Sequence, residues 1–125
     1  TIVFDVIRQN VGSAFSLSSG ELTISVAGTY MLMYEVTAEM DVSSRTEGVV
    51  KLQKQPSGGS FSDVAGTLSG TYSRTSSADN TTGSASVILT VAANDVYRVV
   101  MARTAGSEQL QAFGKGCRLT VFRIA

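Results

Sequence analysis

Residues 28–40 read Gly28-Thr29-Tyr30-Met31-Leu32-Met33-Tyr34-Glu35-Val36-Thr37-Ala38-Glu39-Met40. Side chains alternate across an extended strand, so Tyr30, Leu32, Tyr34, Val36, Ala38 and Met40 share one face. Met31, Met33, Glu35, Thr37 and Glu39 share the other. The first face is apolar throughout; the second opens on two methionines and then turns polar. No helical period fits the segment, and its β-branched and aromatic content favours a strand. The first half of that strand is apolar on both sides and the second half on one.

Working outward, the rest of the chain reads the same way. Apolar runs are short and are punctuated by glycine, serine and threonine, so the class is all-β. Strands are expected at 2–8, 21–25, 28–40, 47–55, 67–75, 84–92, 95–103 and 116–124, with a short extra strand around 14–17. Turns fall at Ser18-Ser19-Gly20, Ala27-Gly28, Pro56-Ser57-Gly58-Gly59 and Ala93-Asn94-Asp95. This number and spacing of strands predicts a sandwich or jelly roll. The strand at 84–92 sets Val87, Leu89 and Val91 against Ile88, and the last sets Cys117, Leu119 and Val121 against Phe122 and Ile124. By contrast 21–25 alternates cleanly, with Leu22 and Ile24 inward, and 47–55 carries Lys51 and Lys54. One apolar face per strand is enough for two packed sheets. Three strands with a second apolar face need a second cover, and with no helix to supply it the simplest one is another copy of the chain.

Composition points the same way. Of 125 residues only 16% are charged and 43% are hydrophobic, and the mean hydropathy is +0.17. That is apolar for the surface of a small monomer. Ten basic and ten acidic residues cancel, which gives no field to attract nucleic acid or an anionic membrane. No apolar run reaches the length of a membrane span. The chain is expected to be one domain over 1–125 and, since Thr1 is not methionine, the C-terminal head of something longer.

There is no histidine and one cysteine, Cys117. Serine triads, two-histidine metal sites and zinc clusters are thereby excluded, and no enzyme is expected. Glu35, Glu39 and Asp41 share a strand face, but a spacing of two is ordinary alternation rather than a catalytic pair. Asp41, Asp63, Asp79 and Asp95 sit in loops or at strand ends, yet no short run supplies dense oxygen ligands. The expected cofactor is therefore none, with calcium as the alternative.

The stretch FDVIRQNVGSAFSLSSGELTISVAGTYMLMYEV, residues 4–36, resembles the N-terminal half of the C1q/TNF-like superfamily. The matching features are Phe4-Asp5, Asn10, Phe15, the Ser19-Gly20 turn, Leu22-Thr23-Ile24 and the Gly28-x-Tyr30 block. TGSASVILTVAANDVYRV at 82–99 is similar to the family's strand leading into a Gly-Asp turn. Leu32 stands where an aromatic is usual, and Asn94 where glycine is. The resemblance implies an antiparallel two-sheet jelly roll assembled as a homotrimer. It implies that Tyr30, Leu32 and Tyr34 lie in the core, and Met31, Met33, Glu35, Ser86, Ile88 and Phe122 at the trimer interface. It also implies binding: an adhesive or receptor-binding head of a viral or bacterial surface fibre. The alternatives are a purely structural trimerisation or coat module, and a secreted ligand of a cell-surface receptor. The place is extracellular, on a virion or on a bacterial or spore surface. The partner is a protein or glycan receptor, with no nucleic acid and no membrane insertion. Recognition is expected in loops at 57–66, 74–83 and 104–112, with Tyr72, Arg74 and Arg103 as the first candidates, because tyrosine and arginine dominate binding hot spots.

Overall fold

The computed structural model describes residues 2, 12–40, 45–73, 80–106 and 110–125. Among the described residues nine strands run in order: β1 (Phe15–Ser18), β2 (Glu21–Ile24), β3 (Gly28–Met40), β4 (Thr46–Gln55), β5 (Ser62–Asp63), β6 (Ser69–Ser73), β7 (Thr81–Val91), β8 (Asp95–Ala105) and β9 (Leu110–Arg123). They form two antiparallel sheets. The larger has the order β1-β2-β8-β4-β5, with β6 also paired to β4; the smaller is β7-β3-β9, with β3 in the centre.

The fold is the expected all-β jelly-roll sandwich. The strand expected at 2–8 lies outside the described residues except for Ile2, which is buried and donates its N–H to the Val99 carbonyl at 2.7 Å. Most strand ends move by one or two residues, and the larger differences are in the second half of the chain. β9 starts at Leu110 rather than 116, and its register against β3 slips between Val36 and Ala38, where the partner jumps from Cys117 to Ala112. β7 starts at Thr81, not 84. The stretch from 57 to 83, read as holding one short strand, contains both β5 and β6. The differences share a cause: residues that carry little strand signal of their own, Thr81-Thr82-Gly83 in β7 and 110–115 in β9 among them, are recruited into a ladder by long-range pairing that local propensity does not encode.

The core forms where the inner faces meet. Tyr30, Leu32, Tyr34, Val36 and Ala38 of β3 are all buried, against Val50 and Leu52 of β4, Tyr97 and Val99 of β8, and Leu22 and Ile24 of β2. Burying a side chain such as Leu32 stabilises by about 2 kcal/mol. Two tyrosine hydroxyls find backbone acceptors, as most buried polar groups do, whereas the buried Tyr97 hydroxyl has none among the described residues. That of Tyr30 donates to the Val26 carbonyl at 2.7 Å. That of Tyr34 lies against the carbonyls of Val50 (2.9 Å) and Thr67, tying the small sheet to the large one, and burial pushes its pKa up to about 12.

The turns follow from backbone chemistry. Ser19 and Gly20 both have positive φ, at 52° and 79°, giving the two-residue hairpin twist that joins Ser18 to Glu21. Asn94 has φ 67° and occupies the left-handed position that glycine would otherwise take, which asparagine tolerates. Gly28 is required for space: a Cβ there would sit 2.6 Å from the Ala125 carbonyl oxygen and 2.6 Å from Arg123 Nε.

Candidate functional site

β3 runs antiparallel to both β7 and β9, so its outward residues line up in cross-strand rows. Met31 is flanked by Ile88 and Phe122, Met33 by Ser86 and Thr120, and Glu35 by Ser84 and Arg118. Directly paired side chains on one face touch, so each row is a contiguous strip. The six residues expected at an assembly interface, Met31, Met33, Glu35, Ser86, Ile88 and Phe122, are thus brought together on the outer face of the small sheet.

The face is graded along its length. At one end lie Ile88, Phe122 and Ile124, 60%, 45% and 51% exposed. The middle row is methionine between two hydroxyls. The third row holds an ion pair, with Arg118 Nη2 2.5 Å from Glu35 Oε2. A shallow hollow lined by Met33, Tyr34, Glu35, Arg118 and Thr120 opens there. Beyond it the Thr37 and Thr82 hydroxyls are 2.9 Å apart. Arg118 and Thr120 had not been singled out for this face. The signal was available, since both share parity with Phe122.

The outer face of the large sheet has the opposite chemistry. Arg98 reaches Glu21 at 3.6 Å and donates to Gln53 at 2.9 Å. Gln53 donates to Asp63 at 2.8 Å, and Lys51 pairs with Asp63 at 2.6 Å. These hydrogen bonds, that from Lys51 first, hold the Asp63 carboxyl below the usual carboxylate range. Phe61 stacks under the Arg98 guanidinium at 3.7 Å, which fastens the 57–66 loop to the sheet.

Two of the expected recognition residues lie within the strands expected at 67–75 and 95–103, bordering the expected recognition loops. Tyr72 lies on β6 and Arg103 on β8, near the strand ends rather than in the loops; Arg74 lies outside the described residues. Tyr72 is 45% exposed, and its ring lies 5.9 Å from the Arg45 guanidinium, itself paired with Glu47 at 2.7 Å. Arg103 is exposed and pairs in register with Gly48, beside the Glu47–Tyr72 pair.

Three of the carboxylates considered for chemistry have structural partners. Glu35 pairs with Arg118 and Asp63 with Lys51. Asp95 is buried, accepts from the Ala92 N–H at 2.9 Å and pairs with Lys54 at 2.8 Å. Asp41 and Asp79 lie outside the described residues. Among the described residues no three His, Cys, Asp or Glu side chains gather closely enough to hold a metal ion. Cys117 is partly buried; burial pushes its thiol pKa up, which opposes thiolate reactivity. No helix among the described residues is long and apolar enough to cross a membrane.

Two sheets, with this strand order and an uncovered small sheet, define a jelly roll of the C1q and tumour-necrosis-factor type. The chain belongs to the C1q domain family, whose pattern matches residues 1–114. Among solved structures it is similar to the globular domain of zebrafish complement 1qA protein, at 16% identity and TM-score 0.65, over 98% of this chain and 82% of that one. It is also similar to murine APRIL, at 15% identity and TM-score 0.60, over 90% and 76% of the two chains. At these identities the likeness is one of fold. No curated protein matches the sequence. Domains of this family are typically extracellular or secreted, form homotrimers that bind receptors, and are generally ligand or structural modules rather than enzymes.

Proposed function

We propose that this chain is one homotrimeric head, spanning 1–125, of a viral or bacterial surface fibre, and that it mediates attachment to a protein or glycan receptor. The trimer forms through the outer face of the small sheet. The observation that carries this is the row Ile88–Met31–Phe122, an exposed apolar strip on a sheet that no other described element covers. Left in water, such a strip is costly; packed on two copies of itself it closes a threefold core. The serine- and threonine-rich segment from 57 to 83 supports the fibre reading, and no cofactor is required.

Two measurements test this. Light scattering on the purified chain, whose mass is 13.1 kDa, gives about 39 kDa for a closed trimer; a monomer whose mass is independent of concentration overturns the assembly. Glycan-array and whole-cell binding then test the receptor. Tyr72→Ala and Arg103→Ala lower binding at least about tenfold, as loss of a hot-spot side chain does. Absence of binding to any surface overturns the adhesive reading and leaves a structural cap.

A further inference from the structure

The third row of the small-sheet face is out of keeping with an interface built on Ile88, Met31 and Phe122. Its ion pair is exposed on both sides, with 68% of the Arg118 side chain and 48% of the Glu35 side chain accessible. Surface pairs of that kind contribute little to the stability of a single chain. The same pair enclosed between copies has a different consequence, because charges there must be matched or they oppose assembly.

Three features bear on what matches them. Glu35 is on the central strand β3 and Arg118 on its neighbour β9, so the two charges sit side by side across the face rather than one above the other. Only Nη2 of Arg118 engages Glu35; the guanidinium carries further donors in a planar fork suited to a second carboxylate. The β7 partner in the row is Ser84, which is uncharged. The row is therefore neutral in sum but polar across its width: positive on the β9 side, negative at the centre and without charge on the β7 side. In a closed threefold ring a copy has a neighbour on each side, so its β9 side and its β7 side both adjoin another copy.

We propose that, in the trimer, the Glu35–Arg118 pairs of three copies close into one ring of alternating charge about the axis, and that this ring decides which chains can join. This rests on the trimer reading above. The apolar row supplies attraction that any similar apolar face would share, whereas the ring supplies discrimination, since a chain with a different charge in this row would bring like charges together. The chain is thereby selected for assembly with copies of itself.

The test is a charge-reversal cycle on the full chain. E35R alone and R118E alone each place one sign of charge around the axis. Each is expected to lower the trimer fraction at least about tenfold, with the β-sheet circular dichroism retained in the monomer. The double variant E35R/R118E restores neutrality and recovers the trimer. Mixing differently tagged E35R and R118E chains gives trimers containing both tags, which neither forms alone. Single variants that trimerise like the wild type overturn the ring while leaving the trimer standing. So does a double variant that fails to recover. A wild-type chain that is monomeric overturns the assembly reading itself, and the two failures are distinguishable by the wild-type mass alone.

Discussion

Across the outside of the large sheet, Glu21, Arg98, Gln53, Asp63 and Lys51 run as one connected ladder of opposite charges and amide bridges. Across the outside of the small sheet, the corresponding positions hold Ile88, Met31 and Phe122, then Ser86, Met33 and Thr120. Both faces come from strands obeying the same two-residue alternation, and both cover the same core. What differs is whether the outward residues satisfy one another. The ladder is complete within one chain and gives a partner little to gain. The apolar strip is left uncovered by every described element of the chain. Surplus hydrophobicity in a small β domain is therefore informative only once it is assigned to a face.

The largest effect that would break this contrast comes from moving charge between the faces. Met31→Lys puts an ammonium between Ile88 and Phe122, and three of them near one axis. Assembly is expected to be lost outright in light scattering, because unpaired charge is costly to bury. Thr23→Lys, on the outer side of β2, is the matched control. It leaves the mass unchanged and moves stability by no more than about 0.5 kcal/mol in denaturant unfolding. Equal effects from the two would erase the distinction.

A smaller effect separates buried from exposed charge within the large sheet. Asp95 is buried and Lys54 is partly exposed, so Asp95→Ala leaves a lysine that can still reach water. The expected cost is about 2–3 kcal/mol, toward or below the low end for breaking a buried pair, with no change in assembly. A loss below about 0.5 kcal/mol, the range of ordinary surface changes, would show that the turn at Asn94 holds without it.

The smallest is a pH effect at Asp63. Its folded-state pKa lies below the ordinary value, so the stabilisation is fully present above the ordinary carboxylate pKa. It is lost as pH falls through the depressed folded value. Melting temperatures of the wild type and Asp63→Asn should therefore differ slightly at neutral pH and converge in acid. A gap that widens on acidification would reverse the sign and remove Asp63 from the ladder.

Much of this was legible in the sequence because alternation is local. The parity of residues 28–40 set Tyr30, Leu32 and Tyr34 on one face and Met31, Met33 and Glu35 on the other, the family resemblance implied which of the two is inward, and Asn94 stood where a left-handed residue was needed. What was not legible depends on pairing between distant segments. Residues 110–115 join β9 only because β3 is there to pair with them, through a slipped register that no local pattern announces. Arg118 gains its place beside Glu35 from that same ladder. Tyr72 and Arg103 fall within the strands expected at 67–75 and 95–103; their meeting across neighbouring positions of β4 is what local sequence does not encode.

The row Ile88–Met31–Phe122 also sets a clock. Its three members come from strands far apart in the chain. Contacts of such high sequence separation form slowly, because long loops must close first. The assembly face therefore does not exist on a growing chain: Met31 waits, unflanked, until β9 has been made and docked. The outer face of the small sheet is therefore complete only once β7, β3 and β9 are all paired. Until then the exposed methionines are this protein's main hazard for aggregation.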